Sequence, residues 1–186
     1  MKISLGTKAL ICPQPVLLIS SYDASLSPNI MTAVRGGVAD IDKIFICIDH
    51  NHKTMENILL HKEFTVSIGT SDYVKNADYI GIVSQKKEIN KVEKSGFTLT
   101  KSENVKAPII NELPLTLECK LISFDPSTDY LFGRVVNVLC EENILTENKK
   151  IDLRKLKPLI YDTSNHKYVS VGEDVGDAFK DGKLLF

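Results

Sequence analysis

Two long runs of alternating residues constrain this chain more than any other feature. Leu115, Leu117, Cys119 and Leu121 alternate with Thr116, Glu118 and Lys120. Beyond the polar break Asp125, Pro126, Ser127, Thr128 and Asp129, the same period of two returns in Val136, Val138 and Cys140. Successive side chains of a strand face opposite ways, so Leu115 to Phe124 and Tyr130 to Cys140 read as strands with one apolar face each. The short break folds them into a long antiparallel hairpin. Further strands are expected at VLLISSY (Val16 to Tyr22), KIFICID (Lys43 to Asp49) and EFTVSIG (Glu63 to Gly69), with a late one at Lys167 to Val171. A turn containing Asp23, Ser25, Ser27 and Pro28 follows the first.

Helical spacing is confined to short stretches. In TMENILLHKE, Met55, Ile58 and Leu59 share one face, Thr54 suits the N-cap, and His61 and Lys62 suit the negative end. A second helix is expected from Ser71, with Asp72 in its first turn and Tyr73, Ala77 and Ile80 on one face, ending near Gly81. Lys87 to Lys94 is mostly charged, with Ile89 and Val92 as apolar anchors and Gly96 as a stop, and reads as a surface helix. The fold class is therefore mainly β with short helices, an antiparallel barrel, because closure removes edges that invite aggregation. A doubly wound fold would need long alternating helices and a glycine-rich phosphate turn. Here Gly36 and Gly37 are the only adjacent glycines, so a Rossmann nicotinamide site is excluded.

At 186 residues the chain fits one domain, 1–186. A chain of this length buries about 70% of its unfolded surface, so it needs no disulfide or structural metal. Lys plus Arg at 23 against Asp plus Glu at 24 leaves a net charge of −1, and Trp is absent. No basic field interleaved with aromatics is available for nucleic acid, which is excluded as a partner. The apolar N-terminal stretch is broken by Pro13, Gln14 and Pro15, so neither export nor a membrane span is expected. The four cysteines, Cys12, Cys47, Cys119 and Cys140, form no CxxC pair. Three lie in apolar strand-like runs, where buried thiols are expected, and Cys12 lacks a resolving partner. A reducing cytoplasm follows.

Chemistry concentrates in three segments. PNIMTAV, Pro28 to Val34, carries Asn29 and Thr32 among apolar neighbours. NHKTMENI, Asn51 to Ile58, puts His52, Lys53 and Thr54 at a helix start, where free N–H groups, a cation and a hydroxyl suit a phosphate monoester. Capping by Thr54 is the plainer alternative. GIVSQKKEINKVEKSGF, Gly81 to Phe97, contributes Ser84 after a helix end, and Lys91. No Ser/His/Asp or Cys/His arrangement is present, so no catalytic side chain is named. Asp49, His50 and His52 could form a metal cluster in a non-enzymatic ligand-sensing barrel, but no third clear histidine ligand accompanies them.

Further patterns run along almost the whole chain: PVLLISS, the N-x-x-T of Asn29 to Thr32, a basic residue and Thr opening a helix at Lys53 to Ile58, and EFTVSI. They continue with Gly81, Ser84, Lys91 and Gly96, then APIINELPLTLECKL, Gly133-x-Val135, PLIYD, and Tyr168 with Gly172. In that order they resemble the flavin reductase-like family of FMN-binding, Greek-key split barrels, which includes the flavoredoxins. The resemblance implies FMN at a homodimer interface, its phosphate held by Thr32, Lys53 and Thr54 with help from His52, Ser84 and Lys91. Backbone near Asn29, Met31, Ala33 and Asp49 would line the ribityl chain and ring. It further implies an oxidoreductase passing electrons from NADH, NADPH or another donor through the flavin, or a flavoredoxin-like carrier serving a protein partner. The chain departs from the family pattern at Val34 and Arg35, where an aromatic is common, at Asp42 and Lys43 in place of a proline pair, and at Asn90 and Val92 around Lys91.

Overall fold

The segment from Pro28 to Asp40 supplies both edges of the main sheet, and the architecture follows from that. In the computed structural model, which describes residues 1–185, the strands and helices in chain order are β1 (Gln14–Pro15), β2 (Leu17–Tyr22), β3 (Pro28–Ala33), β4 (Gly36–Asp40), β5 (Lys43–Cys47), α1 (Lys53–His61), β6 (Glu63–Ile68), α2 (Val74–Ile82) and α3 (Lys91–Ser95). They continue as β7 (Leu99–Lys101), β8 (Pro108–Ile110), β9 (Leu115–Asp125), β10 (Tyr130–Cys140), α4 (Leu153–Leu156), β11 (Leu159–Asp162) and β12 (Lys167–Ser170). Seven strands form one antiparallel sheet in the order β3-β2-β6-β9-β10-β5-β4, with β5 crossing over to pair β10 in Greek-key fashion. Only Val34 and Arg35 separate β3 from β4, so the sheet curls until its edges meet. The Cys47 N–H donates to the Arg35 carbonyl at 2.8 Å, extending the β4–β5 ladder back to the link itself. Because β3 runs on into β4 rather than folding back, the two edges exchange no ladder and the barrel is split instead of fully closed.

Period-two alternation in β2 serves two cores. Leu17 and Ile19 face the barrel interior with Ile46, Met55, Ile58, Phe64 and Leu131, while Leu18 and the preceding Val16 face α2 through Ile30, Ala77 and Ile80. With both faces covered, the run is continuously apolar rather than alternating.

The β9–β10 hairpin forms as expected, its turn tied by Asp125, whose carboxylate accepts from the Ser127 N–H at 2.9 Å, the Ser127 hydroxyl at 2.7 Å and the Thr128 hydroxyl at 2.9 Å. Its burial does not follow the simple alternation. Thr116 and Glu118 are buried because the segment around Ser102 to Pro108 covers that face, whereas Val136, Val138 and Cys140 are exposed. Burial pushes the Glu118 carboxyl up, but hydrogen bonds from Ser102, Asn137 (2.6 Å) and Asn104 (2.8 Å) outweigh it and leave it below the usual range. Of the strand cysteines only Cys119 is buried, and burial pushes its thiol up to about 12. Cys12, which lacks a resolving partner in the sequence, is exposed and lies 2.8 Å from the Thr163 hydroxyl.

Two helix expectations change. His52, not Thr54, occupies the N-cap of α1, since the helix begins at Lys53, two residues earlier than a Thr54 cap implies. The charged run from Lys87 turns irregularly and becomes helical only at Lys91–Ser95, where Gly96 at φ 77° ends it; Ile89 is exposed and anchors nothing.

Gly133 shows how tightly the barrel interior is filled. A Cβ there would stand 2.6 Å from Cζ of the fully buried Phe64 ring. Gly133→Ala is expected to lower unfolding free energy by about 1–3 kcal/mol, read from urea denaturation, because the ring has no free volume to enter.

Candidate functional site

Three backbone segments meet beside the open seam. Strand β3 presents Asn29, the loop before α1 ends at His52, and the chain leaving α2 passes over both. That last segment is laced down at two points. The Gln85 side-chain amide donates to the Pro28 carbonyl at 3.1 Å, and the Lys86 ammonium donates to the Asn51 carbonyl at 2.7 Å. Between them lies a cavity of 220 Å³ whose walls include Asn29, Met31, Thr32, His52, Lys53, Thr54, Ser84 and Lys91, brought together from four separate stretches of chain. Gln85 also lines it, with its buried side-chain oxygen unpartnered, and sequence offered no sign of it because its place depends on the path of the loop.

Each polar group here has a defined task. Thr54 is 2% exposed, and its hydroxyl accepts from the Asn29 amide at 2.7 Å. With the oxygen engaged as acceptor, its proton is free to point at a ligand. The first N–H groups of α1 lack intrahelical acceptors and add a partial positive charge. Thr32 behaves differently. Its hydroxyl donates to the Ala77 carbonyl of α2 at 2.6 Å, so its proton serves the strand–helix contact. Gly81 permits that contact, since a Cβ there would stand 3.3 Å from the Thr32 Cβ. The Lys53 ammonium pairs with Glu56 at 2.5 Å, so it stands at the rim as an ion pair. Lys91 is 3% exposed and, among the described residues, makes no side-chain hydrogen bond or ion pair; burial pushes its ammonium down to about 8.

Two residues that the family resemblance placed around the ligand lie off the cavity wall. Ala33 packs into the barrel interior. Asp49 is exposed, its carboxylate accepting from the Asn51 N–H at 2.8 Å and the Asn51 amide at 3.0 Å. Asp49 and His50 gather with Asp129 rather than with His52, and the His50 Nδ1 lies 3.0 Å from the Asp129 carboxylate. These contacts already satisfy that exposed group. A larger hollow of 470 Å³ lies near Tyr22 and the 101–106 loop, but Lys101, Glu103 and Lys106 turn outward to water there, and the buried Ser102 hydroxyl on its wall is already given to Glu118.

A split antiparallel barrel with a donor-rich cavity at a helix start defines a class of proteins that seat an anionic small molecule at the barrel seam. Residues 9–170 match the family described as flavin reductase like domain, and the chain belongs to that family. It is similar to the flavoredoxin of Desulfovibrio vulgaris (Miyazaki F), with 34% identity, a TM-score of 0.93, and 98% of this chain and 100% of that one covered. A flavoredoxin from Methanosarcina acetivorans shares 30% identity at a TM-score of 0.88, with 100% of both chains covered. The fold is also that of an FMN-binding domain of a flavin reductases-like enzyme from Shewanella baltica OS155, at 20% identity and a TM-score of 0.79 over 88% of this chain and 89% of that one.

The buried ammonium of Lys91 sets a stability prediction. With its pKa lowered to about 8 from 10.5, the folded state binds fewer protons than the unfolded state between those values. Stability of the flavin-free protein therefore rises with pH across that window, and below it the charged lysine weakens the fold. Lys91→Met is expected to raise the thermal midpoint of flavin-free protein at neutral pH. The gain over wild type should shrink as the pH approaches 10.5, and melting curves at the two pH values check it.

Proposed function

We propose that this chain is an FMN-binding flavoprotein of the flavin reductase type, acting as a homodimer that passes electrons from NADH, NADPH or another donor. The observation that carries the reading is a cavity holding a free hydroxyl proton, orphan helix N–H groups and a buried ammonium that, among the described residues, meets no anion. That donor set fits a phosphate dianion, and the similarity to FMN-binding and flavoredoxin structures makes flavin mononucleotide the natural bearer. Bound flavin supplies hydride or single-electron chemistry by itself. The chain's residues bind and orient: Asn29 holds the Thr54 hydroxyl in one orientation, and Lys91 contributes charge from within the wall. No side chain is assigned a proton-transfer role.

A cavity of 220 Å³ is too small for a whole flavin nucleotide, since small-molecule sites run about 300–1,000 Å³. A second copy of the chain would complete it. Exposed apolar side chains support such a partner: Tyr130, Phe132, Val136 and Val138 on β10, together with Ile3, Leu5 and Ile11 in one arm and Val175 and Phe179 in the other. All four cysteines are free, which suits a reducing cytoplasm. No helix among the described residues is long and apolar enough to cross a membrane.

A second reading, an electron carrier serving a protein partner, is favoured by the 34% and 30% identity to two flavoredoxins. Anaerobic titration of the yellow protein separates the two. Bleaching of flavin absorbance by NADH or NADPH within a catalytic timescale supports the reductase, and indifference to both supports the carrier.

The phosphate assignment has its own test. Thr54→Val keeps the side-chain shape and removes the donor, and a hydrogen bond to a charged group is worth about 1.5–3 kcal/mol. FMN affinity is then expected to fall about 10- to 100-fold by fluorescence titration while riboflavin, which lacks the phosphate, binds unchanged. Replacing Lys53 and Thr54 together by Ala should give protein that purifies without colour.

A further inference from the structure

Lys91 opens α3 with its side chain inside the wall of the cavity, 3% exposed, yet among the described residues no carboxylate accompanies it. An ammonium withdrawn from water ordinarily acquires an opposite charge. The charged and titratable groups around it are all committed or turned away. On its own segment, Glu88 takes the Lys94 ammonium and Glu93 is exposed. On α2, packed against α3, Asp78 accepts from the Tyr168 hydroxyl at 2.9 Å, while Lys75 and Tyr79 carry no negative charge at neutral pH. Strand β3, also against α3, has no titratable side chain. Across the cavity stand His52 and Lys53, the latter held by Glu56. Burial by itself lowers the Lys91 ammonium, and no neighbouring charge offsets it.

We propose that Lys91 makes flavin retention proton-linked: the phosphate of bound FMN is the missing counter-charge that keeps this lysine an ammonium, and loss of its proton in mildly alkaline solution loosens the flavin. The inference rests on the FMN reading above and adds regulation by pH to it. In the flavin-free protein the lysine nitrogen gives up its proton to solvent near pH 8. When the phosphate dianion arrives, the same nitrogen takes one proton back from solvent, so binding and protonation are coupled one to one. Below that region the lysine is already charged and affinity is insensitive to it.

The test is a fluorescence-quenching titration of flavin-free protein with FMN and with riboflavin across neutral to alkaline pH. Wild-type affinity for FMN is expected to fall about tenfold between about pH 7 and pH 9 while that for riboflavin stays level, since each pH unit above the lysine's pKa costs a factor of ten in its charged fraction. Lys91→Arg, whose guanidinium stays charged, should bind FMN tightly with a level profile over the same range. Lys91→Met should bind weakly at neutral pH and also show a level profile. If Lys91→Met is weakened but wild type is level, the phosphate contact stands and the proton linkage is overturned. If wild type loses affinity and Lys91→Met loses it in parallel, another group is responsible and the linkage is likewise overturned. If Lys91→Met matches wild type at every pH, Lys91 does not meet the phosphate and the linkage is overturned, while the FMN reading itself stands or falls with the Thr54→Val titration.

Discussion

Everything in this structure turns on the two-residue link between β3 and β4. A sheet whose opposite edges are joined by Val34 and Arg35 cannot lie open, because the chain has no length to span a flat seven-stranded width. The curl sets the seam, and the seam brings the start of α1 against Asn29 and the chain after α2 across both. The cavity is thus a by-product of closure geometry. It lies where the hydrogen-bond ladder stops, the one place in such a barrel where backbone and side-chain donors can face inward without already being paired to a neighbouring strand.

Polar groups are distributed in two contrasting ways. Around Glu118 the buried carboxylate is met by donors from Ser102, Asn104 and Asn137, a saturated network that holds a loop onto the sheet. Around Lys91 the reverse holds, and among the described residues a buried cation is left without an opposite charge. The first arrangement stabilises the fold, whereas the second weakens it and has physical sense as a place prepared for a ligand. Thr32 and Thr54 show the same division at closer range. Both belong to the phosphate-binding pattern of the family resemblance, yet one hydroxyl ties β3 to α2 and the other keeps its proton available.

Legibility varied with how local the determining interaction is. The hairpin was readable because the turn from Asp125 to Asp129 and the alternation on either side are both short-range. The strand at Leu17–Tyr22 was readable as buried, though nothing in it announced that its two faces serve different cores. Burial on β9 and β10 was misread, since alternation tells which side chains share a face but not which face is covered. Ser102 to Pro108 covers the side carrying Thr116 and Glu118, and Val136 and Val138 are left outside. The stretch from Lys87 to Lys94 was read as a surface helix for the same reason, and although the family resemblance put Lys91 at the phosphate, its burial comes from β3 and α2, which periodicity within the stretch does not reveal.

By itself the sequence determined the element types, the antiparallel β class, the family, and the short segments that hold the chemistry, because strand periodicity, turn residues and helix-start residues act over a few neighbours. Tertiary structure alone decided that His52 rather than Thr54 caps α1, that Asp129 and not His52 joins Asp49 and His50, and that Ala33 and Asp49 stand off the cavity wall. These are matters of which distant segments touch, and of which groups lose water when they do. Only the closed shape of the sheet settles that.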